Sequence, residues 1–122
     1  MSRRPMDFLI EDIWEAIRKI RRYIEGMTDE EFKKDEKTAD AVVRNLEIIG
    51  EATNRLPDDF KVQHPDIEWA QIVGLRHRIV HGYFGVDLDI VWHIIQRDLE
   101  VFEQALQRVR ESLDREFPEA EQ

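Results

Sequence analysis

Apolar residues recur at every third or fourth position along most of this chain, a spacing that places them on one face of an α-helix. The spacing predicts a first long helix over residues 7–26, where isoleucines form most of the stripe. Residues 28–31, Thr-Asp-Glu-Glu, form a capping box that starts a short second helix. A third helix is predicted over residues 38–56. Gly50 within it indicates close approach of another helix, because glycine otherwise costs a helix interior about 1 kcal/mol.

Two further helices are predicted in the second half of the chain. Residues 69–80 carry the same apolar spacing, and Gly82 is expected to end this fourth helix because glycine adopts a left-handed conformation at little cost. The last helix is predicted to begin after a cap at Asp87 or Asp89 and to extend to about Phe117. The predicted fold is all-α: residues 1–122 form one domain, an up-and-down four-helix bundle with one or two extra short helices.

The last predicted helix carries two apolar stripes. The first alternates steps of four and three over more than three heptads, and its members are Leu88, Trp92, Ile95, Leu99, Phe102, Leu106, Val109 and Leu113. The second contains Val91, Ile94, Val101 and Ala105 and is interrupted by Asp98. Because one stripe is enough for a monomer core, two stripes indicate either an oligomer interface or wide burial inside a bundle.

The composition narrows the classes of function. The chain has 122 residues, a net charge of −9 and no cysteine. An acidic chain is not expected to bind nucleic acid broadly, so any RNA contact is expected in a local basic pocket. The absence of cysteine excludes a disulfide framework and fits the cytoplasm. The sequence contains neither a signal-peptide core nor an apolar run of about 18 residues, so no membrane contact is expected.

Candidate chemistry is concentrated in residues 75–83, Leu-Arg-His-Arg-Ile-Val-His-Gly-Tyr. Arg76 and His81 are five positions apart across a predicted helix end, where a long arginine side chain can reach the same point as the imidazole. A guanidinium grips phosphate oxygens through planar donors, and an imidazole gives or takes a proton near neutral pH. With the Tyr83 hydroxyl, these are the parts needed to cleave RNA through its ribose 2′-OH without a metal or other cofactor. DNA lacks that hydroxyl and is not an expected substrate.

Three other residues could contribute to the site or could be ordinary surface residues. His77 is four residues before His81, which is the ligand spacing of a zinc-binding helix. However, Arg78 stands where the zinc motif has glutamate, and no third ligand is evident, so His77 is otherwise a neighbour of the site or a surface residue. Arg44 and Glu51, seven positions apart on the third helix, are second-tier candidates that either line the pocket or carry surface charge.

Residues 40–99 resemble the HepT family of HEPN proteins, which are small helical ribonuclease toxins. Three runs carry the resemblance: Asp-Ala-Val-Val-Arg-Asn-Leu-Glu-Ile-Ile-Gly-Glu-Ala at 40–52, Ile-Val-Gly-Leu-Arg at 72–76, and His-Gly-Tyr-Phe-Gly-Val-Asp-Leu at 81–88, continuing into Ile-Val-Trp at 90–92. The family signature, Arg-x4-His-x-Tyr, falls on Arg76, His81 and Tyr83. The sequence departs from the family at His77, where asparagine is usual.

The resemblance implies a homodimer, or a higher even oligomer, in which two copies of the motif face one cleft. It implies the toxin of a type II toxin–antitoxin pair, a metal-independent endoribonuclease with His81 as proton-transfer group, Arg76 as phosphate clamp, and His77 and Tyr83 in support. The implied partner is a small MntA-like nucleotidyltransferase antitoxin that adenylylates Tyr83. The second proton-transfer group is either His81 across the dimer or His77. The alternative is a HEPN module that binds nucleotide or RNA, or joins subunits, without cleaving.

Overall fold

The computed structural model describes residues 5–80 and 85–116, and these residues confirm the all-α prediction. The helices are α1 (Pro5–Ile24), α2 (Asp29–Lys34), α3 (Glu36–Arg55), α4 (Asp58–Val62), α5 (Trp69–Val73), α6 (Leu75–Ile79), α7 (Leu88–His93), a π-helical segment (Ile94–Asp98) and α8 (Leu99–Glu116). None of the helices in these two ranges is long and apolar enough to span a membrane.

The core of the bundle lies between α1, α3 and the last helical rod. The stripe predicted on α1 is buried, and it packs chiefly against α3. The largest side chains that lie fully inside this core include Ile13, Ile17, Ile20, Leu46, Ile49, Leu75, Ile79, Ile95 and Leu99. Burying an aliphatic side chain stabilises the fold by about 1.5–3 kcal/mol. Burial of these core side chains therefore supplies most of the free energy that holds the shorter helices in place.

The starts of α2 and α3 are fixed by side-chain caps. The predicted capping box is present: the Glu31 backbone N–H donates to Thr28 Oγ1 at 3.2 Å, and the Thr28 N–H donates to Glu31 Oε1 at 2.9 Å. Asp35 caps α3 by accepting from the Thr38 backbone N–H at 3.0 Å, and this hydrogen bond lowers the pKa of the Asp35 carboxyl. Because Asp35 is the cap, α3 begins two residues before the predicted start.

The predicted fourth helix is divided in two at Gly74. Residues 69–80 carry one apolar spacing, yet α5 ends at Val73 and α6 begins at Leu75, with Gly74 at φ −85° and ψ 9° between them. The close approach expected at Gly50 is confirmed. A Cβ built on Gly50 would lie 3.3 Å from the Ile72 carbonyl oxygen and 3.5 Å from that of Val73, so the last turn of α5 rests directly on the α3 backbone.

The predicted last helix is a rod of three consecutive helical segments, residues 88–116. Asp87 is its cap and accepts hydrogen bonds from the backbone N–H groups of Asp89 and Ile90. In the π-helical segment the Leu99 N–H donates to the Ile94 carbonyl, five residues back. Three members of the second stripe, Val91, Ile94 and Ala105, are buried inside the single chain, and Val101 is exposed. Wide burial in the bundle therefore accounts for these three members and not for Val101, and an oligomer interface stays a prediction.

Candidate functional site

Helix α6 carries the first half of the Arg-x4-His-x-Tyr pattern, and two buried residues hold it against the bundle. Leu75 and Ile79, one turn apart, are both fully buried. The helix packs on α3 from one side and on α7 from the other. Since these two residues occupy the inner face, Arg76, His77 and Arg78 project from the remaining faces of the helix. The local sequence thus exposes Arg76 and His77 on a short helix whose inner face is buried, while Arg78 is half-buried.

Arg76 lies beside a surface cavity of about 210 Å³ between α3, α5 and α6. Its side chain is 77% exposed, and its Nε lies 3.8 Å from Glu47 Oε2. The cavity is lined by Leu46, Glu47, Gly50, Glu51, Asn54, Val73 and Arg76. An exposed ion pair of this length contributes at most about 1 kcal/mol to stability, so it orients the guanidinium without immobilising it.

Of the two second-tier candidates, the structure brings Glu51 to this cavity with Arg76 and leaves Arg44 out of its lining. Arg44 is exposed on α3, one turn before Glu47. Sequence reasoning missed Glu47. The signal for it was its spacing of four from Glu51, which places both carboxylates on the same face of α3.

The electrostatic character of the cavity differs from the expected basic pocket. Its described lining has one guanidinium, on Arg76, and two carboxylates, on Glu47 and Glu51. The described lining in a single chain is therefore not basic, and the local basic pocket expected for RNA stays a prediction because His81 lies outside the described residues. A phosphate group would be attracted by Arg76 and repelled by the two glutamates, so an anion is best received on the outer side of the guanidinium, away from α3.

His77 is exposed on α6, next to Arg76 in sequence. His81 and Tyr83 lie outside the described residues, so the pairing of His77 with His81 that a zinc site would need stays a prediction. The residues that flank this segment contact each other: Val80 forms an antiparallel bridge with Val86, and the Asp87 N–H donates to the Ile79 carbonyl at 2.8 Å. The chain on either side of the segment is thus fastened to the end of α6.

Arg78 faces the last helical rod, on the side of α6 opposite Glu47. Its Nη2 lies 2.8 Å from Asp98 Oδ2. Its Nη1 is buried and has no hydrogen-bond partner among the described residues. Sequence reasoning did not find this pair, and the available signal was that Asp98 interrupts an otherwise apolar stripe. The two arginines of α6 are therefore paired to different elements, Arg76 to α3 and Arg78 to the π-helical segment.

Comparison of the sequence with known proteins shows that the chain belongs to one family. The family model described as "Ribonuclease HepT-like" matches residues 13–109. A protein of Thermococcus cleftensis named a probable ribonuclease HepT is 40% identical over 110 residues, which is 90% of this chain and 99% of that protein. A protein of Methanocaldococcus jannaschii, whose name gives RNase as a provisional function, is 39% identical over 95 residues, or 78% of each chain.

A third similarity covers a shorter stretch of the chain. The mRNA nuclease HepT of Shewanella oneidensis is 45% identical over 40 residues, which is 33% of this chain and 30% of that protein. No solved structure matches the chain significantly. The family model spans α3, α5, α6 and the π-helical segment, so it includes every described residue of the candidate site.

Proposed function

We propose that this chain, which belongs to the HepT-like ribonuclease family, is a metal-independent endoribonuclease and the toxin of a toxin–antitoxin pair. The observation that carries the proposal is the match of the family model across residues 13–109, a range that contains Arg76, His81 and Tyr83 at the spacing of the family signature. The exposed Arg76 guanidinium beside an open cavity supports it, because a phosphodiester in a folded RNA needs a cation that it can reach from solvent.

The proposed reaction is an internal transesterification of RNA. His81 accepts the proton of the ribose 2′-OH as the 2′-oxygen attacks the neighbouring phosphorus, and the bond from phosphorus to the 5′-oxygen breaks. The products are a 2′,3′-cyclic phosphate and a 5′-hydroxyl, and the leaving oxygen takes a proton from a second acid. Arg76 binds the phosphate oxygens and stabilises the extra negative charge of the transition state. Tyr83 supports the site by hydrogen bonding, and Glu51 helps to orient the Arg76 guanidinium at the cavity.

The second acid is proposed to come from a second copy of the chain. The motif supplies one histidine at the signature position, and the reaction needs two proton-transfer steps. A homodimer that faces the two motifs across one cleft would provide a second His81, and it would place a second Arg76 where the phosphate can be held away from the glutamates of α3. His77 of the same chain is the competing candidate for this role.

A substrate with one altered sugar tests the reaction directly. Purified protein is expected to cut an RNA oligonucleotide in the presence of EDTA, and a single 2′-deoxy substitution at the cut position is expected to abolish that cut. Separation of the products by gel, with chemical identification of the ends, should give the cyclic phosphate. Cleavage that persists at the deoxy position, or that disappears on adding EDTA, would contradict the proposed mechanism.

The proposed partner is a small nucleotidyltransferase of the MntA type, which transfers adenylate from ATP to the Tyr83 hydroxyl and releases pyrophosphate. A bulky anion on Tyr83, in the same motif as Arg76, would compete with the RNA phosphate and block the cleft. Co-expression of the chain with an MntA-type nucleotidyltransferase is expected to add the mass of one adenylate to the peptide containing Tyr83 and to abolish RNA cleavage. Tyr83→Phe should stay unmodified. An unmodified wild-type peptide, with full cleavage activity after co-expression, would overturn this part of the proposal.

Two observations favour the second candidate function, a HEPN module that binds nucleotide or RNA without cleaving it. The described cavity lining has more carboxylates than cations, and His77 replaces the usual asparagine next to Arg76. The cleavage assay separates the two functions when it is run beside a binding assay. Binding of the oligonucleotide with no product at any enzyme concentration would favour the module over the enzyme.

A further inference from the structure

The ion pair between Arg78 and Asp98 joins the motif helix to an irregular part of the last helical rod. Nη2 and Oδ2 are 2.8 Å apart, and the two side chains are only 34% and 28% exposed. The pair is therefore better shielded from water than the contact between Arg76 and Glu47. An ion pair of this length in a partly desolvated place constrains geometry more tightly than an exposed ion pair.

The π-helical segment that carries Asp98 is itself held from two further directions. Ile94, Ile95 and Leu99 are buried in the core. On the side of α1, Arg21 Nη1 donates to the Ile95 carbonyl at 3.0 Å, and Arg21 Nε donates to Glu103 Oε1 at 3.0 Å. These contacts restrain the backbone position of Asp98. A π-helical turn is rare and often occurs at functional sites, which makes its position opposite the motif helix informative.

Helix α6 needs such an anchor because it is very short. It has five residues, and a helix of that length is not stable without tertiary contacts. Leu75 and Ile79 define the face of the helix that points into the bundle, and contacts at its sides limit the rotation that remains about its axis. Arg78 is the described side contact toward the rod, and it is two residues from Arg76. A rotation of α6 would change the direction of the Arg76 guanidinium.

We infer that Asp98 is a positioning residue for the reaction: through Arg78 it fixes the rotation of α6 and thereby the direction in which Arg76 meets the phosphate. This inference rests on the proposed ribonuclease function. Asp98 does not touch the cavity that Arg76 lines, so its effect passes through the helix. The buried Nη1 of Arg78 strengthens the dependence, because without Asp98 the guanidinium would be left with no described partner.

The chain offers a matched control for removing this ion pair. Arg110 of α8 binds Glu11 of α1 through two hydrogen bonds, of 3.0 and 3.2 Å, and these side chains are 26% and 38% exposed. The control pair therefore resembles the first in shielding, and it also joins two helices, but it is remote from α6. Asp98→Asn and Glu11→Gln each remove one carboxylate charge with little change of shape.

The two variants should lower the melting temperature by similar small amounts and differ in catalysis. For Asp98→Asn we expect kcat to fall about 10- to 100-fold with little change in KM, because a misdirected catalytic group loses rate at this scale. Glu11→Gln should keep kcat within about twofold of wild type, as expected for a surface change away from the site. Asp98→Glu, which retains the carboxylate, should recover part of the lost kcat.

Hydrogen exchange gives a readout that does not depend on activity. The backbone N–H of Arg78 donates to the Gly74 carbonyl and that of Val80 to the Arg76 carbonyl, so both report on α6. Their exchange should become faster in Asp98→Asn and stay unchanged in Glu11→Gln. If Asp98→Asn does not fold, Arg78→Lys takes its place, since it keeps the charge and removes the planar guanidinium.

The outcomes separate this inference from the proposed function. A wild-type protein that cuts RNA, with Asp98→Asn as active as Glu11→Gln and equal exchange in both, overturns the positioning role and leaves the ribonuclease function standing. A wild-type protein that cuts no RNA overturns the ribonuclease function and any role in the reaction. The exchange rates then still decide whether Asp98 holds α6.

Discussion

Replacing Arg76 with alanine is expected to reduce kcat for RNA cleavage by about 100- to 1,000-fold, the loss found when one transition-state hydrogen-bond donor is removed. The fold should be unaffected, because the Arg76 side chain is 77% exposed and its described ion pair is 3.8 Å long. His81→Ala is expected to cost about 100- to 10,000-fold, the usual contribution of general acid–base catalysis. Single-turnover cleavage of a labelled oligonucleotide measures both effects, and thermal unfolding checks that each variant is folded.

Arg115→Ala is the matched control for the loss of one positive charge. Arg115 is exposed on α8, 17 residues beyond Asp98. At 1.5 Å per residue this is about 25 Å along the helix from the π-helical segment. The control should cleave at the wild-type rate, because an exposed charge at that distance is screened at ordinary salt. A folded Arg76→Ala variant with the activity of the control would remove Arg76 from the mechanism.

The helices that form the core could be predicted from the sequence because their information is local. The isoleucine spacing of α1 and the capping box before α2 both depend on residues within a few positions of one another. The division at Gly74 is different, since the apolar spacing runs through it unbroken. It reflects tertiary packing: α5 rests on Gly50 of α3, and Leu75 and Ile79 of α6 are buried separately. Tertiary contacts override periodicity at this point.

The residues of the candidate site also fall into two groups, those that local sequence predicts and those that depend on tertiary contacts. Arg76 and Glu51 could be proposed from residue type and spacing, and the structure brings both to one cavity. The pairing of Arg78 with Asp98 joins residues 20 positions apart on different helices, so no local pattern encodes it. The only sign of the pair in the sequence is Asp98 within an apolar stripe, and this pattern does not predict which residue Asp98 contacts. Arg44, proposed by the same reasoning as Glu51, lies on α3 but does not line the cavity.

Gly50 is where the fold and the site depend on each other, and Gly50→Leu is expected to destabilise the protein. Its Cβ alone would lie 3.3 Å from the Ile72 carbonyl oxygen and 3.5 Å from that of Val73, which is tighter than ordinary contact, so α5 would have to shift away from α3. Overpacking of this kind costs about 1–3 kcal/mol or more. Leucine gains about 1 kcal/mol of helix propensity over glycine, which offsets only part of that cost.

The displaced element is the one that leads into α6, so catalysis should fall together with stability. Val73 and Arg76 line the cavity with Gly50, and α6 follows α5 after one residue. Urea unfolding of Gly50→Leu should show a free energy of unfolding about 1–2 kcal/mol lower than wild type, and the folded fraction should have reduced kcat. Asp40→Leu, on the exposed side of α3, should change the free energy by less than about 0.5 kcal/mol. Equal stability in the two leucine variants would mean that α5 does not pack on α3 at Gly50. The described boundary of the cavity beside Arg76 would then be wrong.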